Sequence, residues 1–215
     1  VTQPTLEAEL TRARKLSASE LADAIESIGF ECTRCGACCR GDDDEHTATI
    51  FPEEVRTMSE ATNRDWRDVA RPMPYGLTGG EGETFEWALQ TDNCGDCQFY
   101  TEADGIGACS AHADRPLICQ TYPFSVDLGG TSQPMGEAVD KAGIVRAHEC
   151  EGLGRDISRA DAEAMAETLK ERAVRELEEA IGVRENYRSV DRETGEIIVH
   201  DSEGQKRADG SVVEK

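Results

Sequence analysis

Apolar residues recur at helical spacing at both ends of the chain, whereas the middle breaks into short alternating runs punctuated by glycine and cysteine. Leu6, Leu10, Ala13 and Leu16 mark a first helix. Ser17 with Glu20 forms a capping box for a second, which carries Leu21, Ala24, Ile25 and Ile28 and closes at Gly29. Residues 46–51 alternate weakly and predict a short strand; Pro52 then opens a helix through Val55 and Met58. A further short helix around Trp66 and Val69 ends before Pro72. The glycine-rich stretch 75–83 lacks the ending of a phosphate-binding loop and reads as a turn.

Strands are predicted at 84–90, 97–100 and 107–109, the last two joined across Glu102-Ala103-Asp104-Gly105. A helical turn over 115–121 and a strand over 124–128 follow. Ser158 caps the longest helix, with Ala162, Met165, Ala166, Leu169, Ala173, Leu177 and Ile181 on one face and a stop at Gly182. A terminal hairpin is expected over 186–190 and 196–200, about Thr194-Gly195. The pattern predicts a single α+β domain: N-terminal helices over 1–27, a cysteine-rich region over 28–155, a helix and hairpin over 156–200, and a disordered polar tail over 201–215.

Charge narrows the partners. Forty-four acidic against 23 basic residues leave a formal net charge of −21 in 215 residues, a balance that repels nucleic-acid backbones and anionic membranes. The acids are spread along the whole chain, which suggests a folded protein adapted to the high salt of an extreme halophile. No apolar run approaches the roughly 18 residues of a membrane helix, and the first residues do not resemble a signal peptide, so a cytoplasmic protein is expected.

Nine cysteines, at 32, 35, 38, 39, 94, 97, 109, 119 and 150, carry the chemistry. An odd count in a chain of this length argues against a disulfide framework, and four cysteines within eight residues argue against scattered buried thiols. Cys32-Thr33-Arg34-Cys35-Gly36 has the spacing of a metal knuckle, which aims two sulfurs at one point while glycine lets backbone N–H groups approach them. Cys38 extends it to the Cys-x2-Cys-x2-Cys run of ferredoxin clusters, but the fourth ferredoxin cysteine is missing, so a fourth ligand must come from afar. Adjacent side chains do not easily reach one tetrahedral ion, so Cys38 and Cys39 have different roles. Cys94-Gly95-Asp96-Cys97 is a second knuckle-like pair. His112, three residues after Cys109, is either a ligand or a surface residue. Asp42-Asp43-Asp44-Glu45 is either a hard-cation site or a solvated loop.

Phe30-Glu31-Cys32-Thr33-Arg34-Cys35-Gly36-Ala37-Cys38-Cys39 resembles the signature of the YkgJ, or CxxCxxCC, family of zinc- or iron-chelating proteins. The family's second block is matched by Cys97-Gln98-Phe99, by Cys109 through Arg115-Pro116 to Cys119, and by Tyr122-Pro123-Phe124. Cys150-Glu151-Gly152-Leu153-Gly154 looks like its closing element. The chain departs from the pattern at Ala111-His112, which replaces Ile-Tyr, at Tyr122, which replaces Phe, and in the extra Cys94. The resemblance implies metal binding by Cys32, Cys35, Cys38, Cys39, Cys97, Cys109 and Cys119. A region related to this one in the flagellin lysine N-methylases suggests an iron–sulfur centre.

Seven cysteines exceed the needs of one four-thiolate site. Either a [4Fe–4S] cluster takes Cys32, Cys35, one of Cys38 and Cys39, and a downstream cysteine, or two zinc ions share the set. The Cys-x2-Cys-x2-Cys run favours iron–sulfur. Arg115 is the candidate cofactor-binding residue, able to offset thiolate charge and donate hydrogen bonds. Three functions follow: a metal-binding protein with a Cys-ligated cluster working with a protein redox partner or in metal handling; an iron–sulfur group-transfer enzyme related to the lysine N-methylases; or a structural zinc domain. No catalytic residue is named by the sequence.

Overall fold

The computed structural model describes residues 4–41, 47–130, 137–189 and 195–213. It is α+β, with six α-helices and several small sheets among the described residues. The chain divides into two units that interleave in sequence: Val1–Cys38 with Leu117–Glu178, and Cys39–Pro116 with Glu179–Lys215. Among the described residues no helix is long and apolar enough to cross a membrane.

In the first unit, helices α1 (Leu6–Arg14) and α2 (Ala18–Ile28) form as their caps dictate, the Ser17 hydroxyl accepting from the Glu20 N–H at 3.3 Å. Helix α5 (Leu117–Thr121) leads into an antiparallel sheet of β8 (Phe124–Val126), β10 (Val145–His148) and β9 (Ala138–Ala142), with β10 central. The β9–β10 hairpin was not expected from sequence. β9 is nearly all exposed and shows no alternation that a pattern could reveal. Helix α2 packs on this sheet, burying Leu21, Ala22, Ile25 and Ile28. The first five turns of helix α6 (Arg159–Asn186) bury Ala162, Ala166, Leu169 and Ala173, and Ser158 caps it by accepting from the Asp161 N–H at 3.1 Å.

The second unit holds α3 (Pro52–Thr62), α4 (Trp66–Val69) and two sheets. One is β1 (Thr49–Ile50), β5 (Trp87–Leu89) and β2 (Ala70–Pro72), with β5 central; Ile50, Trp87, Ala88 and Leu89 are buried there. The other orders β12 (Gly204–Arg207), β11 (Ile197–Asp201), β4 (Glu81–Thr84) and β3 (Leu77–Thr78). The glycine-rich stretch read as a turn is thus the β3–β4 hairpin, and β4 also pairs in parallel with β11. A separate hairpin joins β6 (Tyr100–Ala103) to β7 (Ile106–Cys109) through Asp104 and Gly105, both at positive φ as a two-residue hairpin turn requires.

Three expectations at the C-terminal end are corrected. Helix α6 does not stop at Gly182 but runs to Asn186. A Cβ at Gly182 would lie 2.7 Å from the Ser202 Cβ, so this glycine serves a close approach rather than a terminus. The strand over 196–200 exists, but its hairpin partner is β12, on its far side, and 187–189 is not a strand. The expected turn residue Thr194 lies outside the described residues. The segment read as a disordered tail carries β12, and Val213 donates to the Gln205 carbonyl at 3.0 Å. It is held by Lys206, only 4% exposed, which contacts Asp201 at 2.8 Å and Glu203 at 2.7 Å. Asp201 in turn accepts from the Trp87 indole at 2.9 Å.

Candidate metal centre

The first unit sets two cysteine-bearing segments, far apart in sequence, against each other. After α2 the chain runs extended, and Glu31 donates its N–H to the Gly152 carbonyl at 3.0 Å. Gly154 donates to the Gly29 carbonyl at 3.0 Å, and Phe30 forms an antiparallel bridge with Leu153. A Cβ at Gly152 would collide with the Glu31 carbonyl oxygen, so the two backbones approach this closely only because position 152 has no side chain. The Cys-x-Gly-x-Gly element thereby lies against the residues that immediately precede Cys32.

Beyond this bridge Arg34 and Gly36 both take positive φ, at 58° and 79°, turning the backbone at the knuckle, and Ala37–Cys39 forms a short 3-10 turn. Cys32 and Cys38 are exposed, Cys35 and Cys150 half-buried. The Cys150 sulfur accepts the Gly152 N–H at 3.4 Å, the kind of N–H to sulfur bond that supports a thiolate. Burial raises the Cys150 thiol above its ordinary range, the Gly152 N–H opposes that rise, and the charges of Cys38, Cys35 and Cys32 add to it. The Tyr122 hydroxyl is pushed up to about 12 by burial, then by the charges of Cys150, Cys38, Glu149 and Cys35. Four thiols and one phenol therefore share a neighbourhood. Cys119 stands on α5 in the same unit, half-buried.

Behind the cluster lies a buried polar frame. Arg172, fully buried on α6, pairs with Glu176 at 2.7 Å and donates to the Thr121 hydroxyl at 3.0 Å and the Phe124 carbonyl at 3.2 Å. It pins the end of α5 and the start of β8 on either side of Tyr122. The Ser125 hydroxyl and the His148 Nε2 lie 2.8 Å apart, joining β8 to β10 two residues before Cys150.

The second unit gathers the backbones of another cysteine group. The Cys97 N–H donates to the Cys39 carbonyl at 2.8 Å, and the Gly41 N–H to Asp96 Oδ1 at 2.9 Å. Asp92 Oδ1 accepts from the N–H groups of Cys94 and Asp96, shaping the second knuckle. Tyr100 donates its N–H to the Cys97 carbonyl at 2.8 Å and pairs with Cys109 across the hairpin. Its hydroxyl is raised to about 12, chiefly by hydrogen bonding to Glu102. His112 is exposed in the turn His112–Asp114, and Arg115 follows it, half-buried. The acidic run 42–45 lies outside the described residues.

None of the nine cysteines forms a disulfide. Among the described residues no three Cys, His, Asp or Glu side chains stand close enough to hold an ion as placed. The division nevertheless separates the adjacent pair, Cys38 belonging to the first unit and Cys39 to the second. Cys150, absent from the ligands expected from sequence, lies in the same unit as Cys32, Cys35 and Cys38, on the segment paired with residues 29–31; its glycine pattern was the available signal.

Soft thiols, an N–H to sulfur bond and a Cys-x2-Cys-x2-Cys run define a domain suited to zinc or to iron in a sulfur environment. The chain belongs to the CxxCxxCC family, described as "Putative zinc- or iron-chelating domain", whose model matches residues 31–151, more than half of the chain. No curated protein and no solved structure gives a match.

Proposed function

We propose that the chain is an iron–sulfur protein in which Cys32, Cys35, Cys38 and Cys150 hold a [4Fe–4S] cluster, working in electron transfer or metal handling with a protein partner. The supporting observation is the backbone pairing of residues 29–31 with 152–154, which sets the Cys150 segment against the start of the three-cysteine run and makes Cys150 the candidate for the remote fourth thiolate that this run lacks locally. A bound cluster would supply one-electron redox chemistry. The protein's own part is to hold four thiolates, donate the Gly152 N–H to one of them and leave Cys32 and Cys38 open to a partner. Arg115 is proposed to offset the charge of thiolates in its own unit, which holds Cys97 and Cys109. Thiols kept reduced for ligation suit a cytoplasmic setting.

A second reading, two structural zinc ions, draws on the Cys94–Cys97 knuckle and the Cys39–Cys97 backbone pairing in the second unit. Anaerobic purification with iron, zinc and acid-labile sulfide analysis and a visible spectrum separates the two. Four iron and four sulfide per chain with a broad brown absorbance is the expected result, at about the cluster's own stoichiometry. Stoichiometric zinc without sulfide overturns it.

A further inference from the structure

The Tyr122 hydroxyl reaches across from the end of α5 and donates to the carbonyl oxygen of Glu149, the residue immediately before Cys150. The bond depends on the hydroxyl alone, since a phenylalanine in the same place would keep the ring and lose the donor. Tyr122 is well placed to anchor something. Its own N–H donates to the Ile118 carbonyl at 3.1 Å. The next residues are fixed in turn, with the Phe124 carbonyl on the buried Arg172 and the Phe124 ring edge-on to Phe30 at 5.8 Å.

Cys150 is therefore held from both sides. On its C-terminal side the 152–154 backbone is stitched to 29–31, and Leu153 donates to the Cys150 carbonyl at 3.2 Å. On its N-terminal side β10 ends at His148, and Glu149 is exposed. The tyrosine bond ties this exposed residue, just before the thiol, to the end of α5.

We infer that Tyr122 is a positioning residue for the metal centre, its hydroxyl clasping the Glu149 carbonyl so that the Cys150 sulfur stays with Cys32, Cys35 and Cys38. The inference rests on Cys150 being a ligand, as proposed above. Such a clasp changes how long the centre keeps its metal rather than whether the protein folds. Partners that orient ligands without touching the metal typically account for about 10–100-fold in metal affinity.

The test compares the wild-type holoprotein with Tyr122→Phe, Cys150→Ser and the double variant. Two quantities are followed: transfer of the bound metal, iron or zinc, to a colorimetric chelator, and the thermal midpoint of the metal-free protein. Tyr122→Phe keeps the ring and removes only the donor. It is expected to release metal about tenfold faster, leave the metal-free midpoint unchanged, and add nothing in the Cys150→Ser background. Wild-type release from Tyr122→Phe overturns the inference, as does an equal acceleration with and without Cys150 or a drop in the metal-free midpoint, which mark a merely structural bond. If Cys150→Ser itself releases metal at the wild-type rate, or the protein takes up neither iron nor zinc, the ligand assignment fails and the clasp with it. A labile Cys150→Ser with a silent Tyr122→Phe removes the clasp alone.

Discussion

Glu31 and Gly152, 121 positions apart, are joined by one backbone hydrogen bond of 3.0 Å, placed just before one candidate ligand and just after another. The contact depends on the missing side chain, because a Cβ at 152 would overlap the Glu31 oxygen. Gly152→Ala must therefore part the two segments. A loss of about 1–3 kcal/mol, the usual cost of forcing atoms into a packed site, is expected on chemical denaturation. It should be accompanied by a fall in bound metal. Unchanged stability and metal content would mean that the segments separate without consequence.

Arg172 ties Glu176, Thr121 and Phe124 together in the core of the first unit. Its removal takes the guanidinium from the buried Thr121 hydroxyl and Phe124 carbonyl and from the partly buried Glu176 carboxylate. Arg172→Ala should lower stability by about 3 kcal/mol, the range for breaking a buried charge pair. Arg172→Lys should recover little, because an ammonium cannot serve three acceptors in the geometry of a planar guanidinium. Urea titration of the metal-free protein measures both; full recovery by lysine would show that only the charge matters.

The second unit has its own pH signature. Glu203 is held down to about 2 from an ordinary 4.5, chiefly by its hydrogen bond to Arg56, at 2.6 Å to the nearer oxygen, with Lys206 assisting. A depressed carboxylate contributes stability that is complete above 4.5 and is lost as the pH falls toward 2. Glu203→Gln should therefore be less stable than wild type near neutrality, and the gap should close through that window. Because Glu203 is partly exposed, molar salt should shrink the gap as well. A gap independent of pH would assign the effect to packing.

Much of this architecture is legible residue by residue, because caps and turns are local chemistry. Ser17, Pro52, Ser158 and the Asp104-Gly105 pair mark their elements as the structure has them. The three-cysteine run is equally local. What spacing cannot reveal is set by pairing at a distance. The Cys150 segment is set against residues 29–31 by a β-bridge, Gly182 lies inside a helix at a close approach to Ser202, and the last residues are held by Lys206 between Asp201 and Glu203. The adjacency of Cys38 and Cys39 already suggests separate roles, but only the division of the chain assigns the two residues to different units.

The most direct measurement is iron and acid-labile sulfide per chain in Cys150→Ser beside Cys39→Ser, both purified anaerobically. Cys150→Ser should keep well under half of the wild-type cluster absorbance and sulfide, whereas Cys39→Ser, altered in the other unit, should retain them in full. A full cluster in Cys150→Ser, or its loss in Cys39→Ser alone, would contradict the assignment of the centre to Cys32, Cys35, Cys38 and Cys150.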